Sequence, residues 1–342
     1  MAVTLREVAS KAGVSPVVVS KVLHNKAPTV RVSDATAERV RQAARDLGYR
    51  VNVFARNFRA QQTHMIGVLH GVGFDRPLLY EGSRYFASLM DGIMAGAFDR
   101  GYSVTMCPQL LGPSPEEAMS DGRFDGLVWY SADRMGQNRE MLMRCPVPLV
   151  VIHAHAGDYE DRYPSVTCDN AQGIGLAVDH LVEQGHRRIA FAYEDHMMNH
   201  ETRARLEAFQ THMARHGLPC GPGDLLRGDG SSSEIDPYMA GPRVHTGLIT
   251  FADQLAARYI DSARRFGVKV PDDLSIVGFD STGFCNELRP ALTSVRQPLY
   301  EMGERAIEQL VDVINGNKPD PLESIFPCGF DLRESTMPLV RT

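Results

Sequence analysis

Long apolar runs are missing from this 342-residue chain. Nowhere do ~18 consecutive apolar residues occur, which excludes a conventional membrane-spanning helix. The opening MAVTLREVASKAG places acid and base where a secretory signal needs unbroken apolar residues, so a cytoplasmic location is expected. Cysteine is sparse and scattered. Cys107, Cys145, Cys168, Cys220, Cys285 and Cys328 form no CxxC pair and no framework spacing, so neither disulfides nor structural zinc is expected. Enzyme motifs are missing as well: Gly71-Val72-Gly73 begins a dinucleotide turn but Arg76 stands at the third glycine position, and no nucleophile elbow or P-loop occurs. The chain reads as a non-enzyme with no catalytic residue and no cofactor. What is present, 43% hydrophobic and 23% charged residues, suits a soluble globular protein of two or three domains.

The net charge of -6 is unevenly spread. Residues 1–60 hold eleven Lys and Arg against four acids, a surplus of seven, so the remainder is strongly acidic. A basic head on an acidic body is the pattern of a phosphate-binding module joined to a part that does not itself adhere to nucleic acid. A solvated charged face would give the same count, so the helices of the head must decide.

Thr4-Leu5-Arg6-Glu7 has capping-box spacing, and Leu5, Val8, Ala9 and Ala12 follow along one helical face. Gly13-Val14 interrupts this helix, and Ser15-Pro16 starts another with a side-chain cap and a proline whose missing N–H costs nothing there. On the second helix Val19, Val22 and Leu23 share a face, while Val17 and Lys21 point nearly opposite and Val18 lies at the edge. An outward valine four residues before a lysine suits thymine methyls and guanine or phosphate oxygens in a major groove, although a merely exposed valine fits the wheel equally. Ser33 caps a third helix with Ala37, Val40, Ala44 and Leu47 on its apolar side, ended by Gly48. Three short helices with a tight turn between the first two form the helix-turn-helix pattern. From Val53 to Arg59, with Asn52 as N-cap, runs a segment far shorter than the ~12–15 residues of a stable isolated helix; it reads as a hinge that folds on binding.

The stretches VTLREVASKAGVSPVVVSKVLHNK and VSDATAERVRQAARDLGYRVNVFARNFR resemble the head and hinge of the LacI/GalR family of bacterial transcription repressors. The resemblance implies a sequence-specific repressor that binds double-stranded, pseudo-palindromic operator DNA. Its implied DNA contacts are Thr4, Ser15, Pro16, Val17, Val18, Ser20, Lys21, His24, Asn25, Asn52, Ala55, Arg56 and Phe58. Pro16, Val17 and Lys21 would read bases, and the hinge would lie in the minor groove. Phe58 stands where the family usually has a leucine wedge, and an apolar wedge partly unstacks a base step and kinks the duplex. Val51 for the usual proline, Lys21 for arginine and Val18 for threonine are further departures that bear on the half-site sequence.

From Met65 onward short apolar runs (MIGVL, YSVTMCP, FDGLVWY, PLVVIH, RIAFAY, HTGLITF, LSIVGFD) alternate with amphipathic stretches, the mark of parallel α/β layers. GHRRIAFAY, VPDDLSIVGFD and LTSVRQPLYEMGERAIEQL resemble the same family's effector domain. The resulting expectation is an N-terminal three-helix helix-turn-helix domain plus an α/β periplasmic-binding-protein-like domain of two doubly wound subdomains. The head spans 1–48, the hinge 49–61 and the effector-binding and dimerisation domain 62–342. Its N-subdomain covers about 62–162 and 293–325, and its C-subdomain about 163–292 and 326–342. Paired operator half-sites, and a chain that stops at Thr342 without tetramer-forming apolar heptads, lead to the expectation of a homodimer.

Ligands meet such sheets at the carboxyl ends of strands. Arg205 matches the family arginine that hydrogen-bonds a small-molecule effector, Asp280 matches an acidic sugar ligand, and Asp253 and Phe251 follow another strand. On spacing alone Arg205 could instead pair along a helix surface with Glu201 or Glu207. Three usual sugar contacts are replaced: an asparagine by Ala252, a stacking ring by Gly230 and an acid by His153. Phe86 and Tyr130 are the aromatic candidates for the cleft, and Tyr85 and Trp129 neighbour them. A carbohydrate or sugar derivative is the expected effector class, with a larger saccharide, a sugar acid met by Arg205 and His153, or a nucleobase all open. His153 with His155, and His196 with His200, have bidentate spacing but no third ligand, so no metal is expected.

Overall fold

The computed structural model describes residues 3–24, 31–49, 62–70, 84–107, 114–131, 138–195 and 198–339. Two compact units divide the chain, Met1–Thr63 and His64–Thr342.

In the first unit α1 (Leu5–Ala12), α2 (Pro16–His24) and α3 (Asp34–Leu47) surround a small core of Val8, Ala9, Ala12, Val19, Val40, Ala43 and Ala44. The capping box forms as the spacing predicts: Thr4 Oγ1 accepts from the Glu7 amide, and the Glu7 carboxylate accepts from the Thr4 amide at 2.7 Å. Gly13 and Gly48 each have φ 64°, the left-handed conformation that ends α1 and α3 at little cost for glycine. Asn25 and the hinge residues Asn52, Ala55, Arg56 and Phe58 lie outside the described residues.

The second unit holds two six-stranded sheets. The first, in order β11-β5-β4-β3-β1-β2, is built from β1 (Met65–His70), β2 (Ser103–Cys107), β3 (Gly126–Tyr130), β4 (Leu149–Ile152), β5 (Ser165–Cys168) and β11 (Glu323–Phe326). The second, in order β12-β10-β9-β8-β6-β7, uses β6 (Ile189–Glu194), β7 (Leu225–Gly228), β8 (Gly247–Thr250), β9 (Ser275–Asp280), β10 (Thr293–Arg296) and β12 (Gly329–Asp331). All described pairings are parallel except β10 with β12. β4, β6 and β8 are buried along their whole length, which fits their mostly apolar sequences, with Glu194 and Thr250 at the carboxyl ends of β6 and β8.

Helices supply the covering layers: α4 (Arg84–Asp99), α5 (Pro115–Ser120), α6 (Arg139–Met143), α7 (Asn170–Glu183), α8 (His200–Arg215), α9 (Ser232–Ala240), α10 (Asp253–Arg265) and α11 (Leu299–Ile314). Backbone meets backbone where α4 and α11 cross. A Cβ on Gly303 would sit 2.5 Å from the Leu89 carbonyl oxygen, and one on Gly92 would collide with the Tyr300 carbonyl. None of the helices among the described residues is long and apolar enough to cross a membrane.

The chain passes from the first sheet to the second after β5, returns after β10 and crosses again after β11. These crossings correct the expected subdomain limits. Ser165–Cys168 pairs with β4 and β11, so the first segment runs past residue 162. Thr293–Arg296 pairs with β9, so the return falls after Arg296 rather than before Thr293. An apolar run marks a strand, but which sheet it joins depends on partners far away in the chain.

Candidate nucleic-acid interface and ligand cleft

The second helix of the head presents what its wheel predicts. Val19 is buried, Val22 and Leu23 pack against the core, and Val17 is 53% exposed. Pro16 is exposed, whereas Val18, Ser20 and Lys21 are half-buried. Ser15 Oγ lies 3.5 Å from the Val18 amide, a long cap, while Val18 and Val19 N–H both reach the Ser15 carbonyl. Burying Val17 against something else would gain roughly 1.5–3 kcal/mol, so its outward position leaves an apolar contact available on a basic head. Thr4 and Ser33, both exposed, cap the other two helices of the same three-helix unit.

In the second unit a buried polar cluster joins residues from both sheets. Arg205, on α8, is 4% exposed. Its Nε donates to Asn170 Oδ1 at 2.8 Å, Nη1 to the Phe251 carbonyl at 2.6 Å and Nη2 to Glu201 Oε2 at 3.3 Å. The guanidinium lies 3.8 Å from the centre of the Phe279 ring, and Nη1 is 3.9 Å from Asp280 Oδ1. Glu201, one turn earlier on α8, also accepts from Thr167 Oγ1 at 2.7 Å and from Asn170 Nδ2 at 2.8 Å. Thr167 belongs to the first sheet and Asn170 to the first crossing, so this carboxylate ties the two lobes together.

His153 faces the same carboxylate from the first sheet. It follows β4 with φ 66°, is buried, and its Nδ1 lies 3.9 Å from Glu201 Oε1. Its Nε2 is 2.7 Å from Tyr85 Oη, and Tyr130 meets the ring edge-on with centroids 5.2 Å apart. Asp280 ends β9 at φ 119°, another conformation rare for a side-chain-bearing residue, and accepts from Gln297 Nε2 at 2.7 Å. Left-handed backbone at non-glycine residues costs of order 1–3 kcal/mol and persists where surrounding contacts fix it. Among the described residues five buried side-chain atoms lack a hydrogen-bond partner; Trp129 Nε1 lies in the core of the first sheet and Gln309 Oε1 on α11, and the other three are His153 Nδ1, Gln297 Oε1 and Ser131 Oγ. All three follow strands at the lobe crossings or carboxyl ends, where a ligand would satisfy them.

Electrostatics set the charge of this cluster. Burial pushes His153 down to about 4, with Arg205 adding to the effect and Glu201 opposing it, so the ring is neutral at pH 7. Burial alone would raise the Glu201 carboxyl, yet His153, Arg205 and the hydrogen bonds from Thr167 and Asn170 hold it below its ordinary value. Asp280 moves the other way: burial and then the nearby Asp253 push it well above the usual carboxylate range, against the pull of Arg205. Arg205 stays charged, because Asp280 and Glu201 outweigh its burial.

Arg205, Asp280, His153, Phe251 and Tyr130 are thus brought together, and Phe86 backs the cluster with its ring edge-on to Tyr130 at 5.5 Å. Phe86 is buried on α4 and Phe251 contributes its carbonyl. Asp253 has a different surrounding. Oδ1 accepts from Ser294 Oγ at 2.5 Å, and Oδ2 from the Thr282 amide at 3.3 Å and Cys285 Sγ at 3.0 Å. Its carboxylate ties α10 to the strand ends of its own lobe rather than joining the Arg205 network. Gly230 has φ 70°, and a Cβ there would strike Glu194 and Arg258, so no ring fits at that position. Trp129 is a core residue of the first sheet.

Of the two spacings for Arg205 only that to Glu201 is realised, and it is buried in the cluster rather than on a surface, while Glu207 pairs with Arg203. His153 and His155 do not share a strand face, because β4 ends at Ile152 and the backbone turns over at His153. His155 instead reaches Glu323 at 2.8 Å. His200 opens α8 and pairs with Asp158, and His196 lies outside the described residues. Sequence reasoning missed Thr167, Asn170 and Gln297 as parts of the site, placed Tyr85 only as a neighbour of the aromatic candidates, and took Glu201 only as a surface partner. A glutamate one turn before the matched arginine was the available signal. A groove of about 540 Å³ along α8, lined by residues that include Asp169, Gln172, Thr211 and Arg215, contains neither Arg205 nor His153 and is a separate feature.

Comparison with known proteins yields two profile matches. "Bacterial regulatory proteins, lacI family" matches residues 4–52, and "Periplasmic binding protein-like domain" matches residues 178–336. The HTH-type transcriptional repressor CytR of Escherichia coli (strain K12) is 30% identical over 99% of this chain and 97% of its own. A lac repressor dimer bound to operator and the anti-inducer ONPF superposes with a TM-score of 0.80 at 24% identity, covering 98% of this chain and all of that one. A CelR–cellobiose complex superposes with a TM-score of 0.69 at 25% identity, covering 97% and 99% of the two chains.

Proposed function

This chain belongs to the lacI family of bacterial regulatory proteins, and on that premise we propose that it is a cytoplasmic, homodimeric repressor whose operator affinity is set by a carbohydrate effector held at Arg205. DNA-binding transcriptional regulation follows from the family; the residues, the effector and the dimer are our reading. The observation that carries it is a buried arginine network shared by two lobes, with unpartnered polar groups around it, in the same chain as a basic three-helix head.

In the head, Val17 and Lys21 contact base edges, with Thr4, Ser15, Pro16, Val18, Ser20, His24 and Asn25 completing the contact surface. Asn52, Ala55, Arg56 and the Phe58 wedge form the hinge contacts in the minor groove. In the cleft, Arg205, Asp280, His153 and Tyr130 meet the effector, supported by Phe251, whose carbonyl holds Arg205, and by the buried Phe86 ring behind Tyr130, while Asp253 braces the wall behind them. The protein works by binding rather than turnover. Effector occupancy changes the fit between lobes tied through Glu201, Thr167 and Asn170, and so shifts an equilibrium between DNA-competent and incompetent states. The CelR–cellobiose complex shows this fold holding a saccharide, which supports the carbohydrate class.

Fluorescence anisotropy with operator and scrambled duplexes tests the head. Phe58→Ala should lose operator affinity much more than non-specific affinity, because wedge contacts go and phosphate contacts stay. Equal operator binding by Phe58→Ala and the parent chain would refute the wedge, and a monomer in light scattering at micromolar concentration would refute the dimer.

A further inference from the structure

We propose that Cys168 and Cys328 form a redox-active thiol pair, which hydrogen peroxide converts into a disulfide that ties the first lobe crossing to the third. The proposal stands apart from the effector reading, since it needs no ligand in the cleft.

The two cysteines are 160 residues apart in the sequence, and only the fold brings them together. Cys168 ends β5, where the chain first leaves the first sheet, and its register partner on the adjacent β11 is Phe326, two residues before Cys328. Cys328 lies between β11 and β12, where the chain crosses for the third time. Both are free and buried, Cys168 at 1% and Cys328 at 6% exposure. Gln172 grips the Cys328 backbone twice, its Oε1 accepting from the amide at 2.7 Å and its Nε2 donating to the carbonyl at 3.1 Å. So held, Cys328 Sγ lies 3.5 Å from the carbonyl oxygen of Asp169, the residue after Cys168, and the two thiols are in side-chain hydrogen-bond contact. Cysteine side chains that face each other at contact distance meet the geometric condition for a disulfide without unfolding.

Access comes from outside the cleft. The groove of about 540 Å³ along α8 counts Cys168, Asp169, Asn170 and Gln172 among its lining residues, room enough for a peroxide little larger than water. The two sulfurs differ in their parts. Contact with Cys328, then burial and the Glu201 charge, push the Cys168 thiol well above its usual range, so it keeps its proton and the first attack falls to Cys328. The Cys328 thiolate attacks one peroxide oxygen, the O–O bond breaks, and the departing hydroxide takes up the thiol proton as water, leaving a sulfenic acid. Cys168 Sγ then attacks the Cys328 sulfur, the S–OH bond breaks, and the Cys168 proton passes through Glu201 Oε2, 3.7 Å away, to the leaving hydroxide as a second water. Two thiols and one peroxide thus give one disulfide and two waters. The bond also removes the thiol that donates to Asn170 Oδ1 and Glu201 Oε2, both partners of Arg205, so oxidation reaches the carboxylate that ties the lobes.

The test treats the reduced, folded full chain with hydrogen peroxide at pH 7, alkylates it in denaturant and reads the digest by mass spectrometry. A cross-linked pair of peptides holding Cys168 and Cys328, released by dithiothreitol, is expected. Oxidation of the more exposed Cys107 or Cys220 with Cys168 and Cys328 still alkylated would overturn the proposal. Cys168→Ser, which keeps a hydroxyl donor for Glu201, should halt at a Cys328 sulfenic acid trapped by dimedone, whereas dimedone on Cys168 in Cys328→Ser would overturn the order of attack. Hydrogen exchange on the oxidised parent chain needs no variant: amides of 165–172 and 324–330 should exchange roughly tenfold more slowly than in the reduced chain. Unchanged exchange with the bond formed would overturn the tie between crossings.

Discussion

His153 shows most clearly how one residue can be found in a sequence and still be misjudged. Its place after an apolar run marked it as a cleft candidate, but its partner Tyr85 lies 68 residues earlier and its facing carboxylate 48 residues later, and only the fold brings them together. Its titration is a direct test of that environment. The folded ring is held at about 4 against an ordinary value near 6.5, so the unfolded chain binds more protons between those values. The His153 contribution is thus present above pH 6.5 and is lost as pH falls towards 4, amounting to roughly 3 kcal/mol over the window. Asp253, which burial pushes up to about 6, acts in the opposite sense, so the total curve is not diagnostic. The difference in urea-unfolding stability between the parent chain and His153→Gln is, and it should shrink on acidification. A difference independent of pH would show that the ring is solvated. Arg205→Ala should cost about 3–5 kcal/mol in the same assay, because it strands the buried Glu201 carboxylate without its cation. A loss below 1 kcal/mol would mean that the pair is hydrated.

Elements were the more legible scale, because periodicity and caps are local. The Thr4-Glu7 capping box, the Ser33 cap and the glycine stops were all visible in the sequence and all form. Thr4→Ala should destabilise the isolated-head transition by about 1 kcal/mol, read by thermal melting, and no change would contradict the cap. The closest helix crossing was not legible. Gly92, Gly96 and Gly303 read as ordinary helix residues, yet they let α4 and α11 approach until a Cβ meets backbone. Helix propensity alone makes Gly303→Ala stabilising by about 1 kcal/mol, whereas the crossing makes it destabilising by about 1–3 kcal/mol. The sign of that change in chemical denaturation decides between them. On α2, Lys21→Ala should both weaken binding and relax base preference, while a uniform loss across sequences would assign Lys21 to phosphate alone.

For the whole molecule, sequence patterning marked seven of the twelve described strands, missing the short β5, β7, β10, β11 and β12, and not the sheet each joins, so the lobe limits shifted by several residues while the two-lobe α/β architecture held. The charge division between head and body was legible from the start, since it needs only a count. Coupling between cleft and head is a property of the assembled molecule. Linkage requires an effector that changes operator affinity by some factor to have its own affinity changed by operator through the same factor, typically 5–150-fold for ~1–3 kcal/mol of coupling. The central claim, that this chain reads a specific operator as a symmetric dimer, is tested most directly by selecting duplexes from a random pool with the full chain and measuring the affinity of the winners against the starting pool. Enrichment of a two-fold-symmetric sequence, bound at least ~10³-fold more tightly than random duplex at physiological salt, is the result expected. Recovery of no common sequence, or of one without two-fold symmetry, would contradict it.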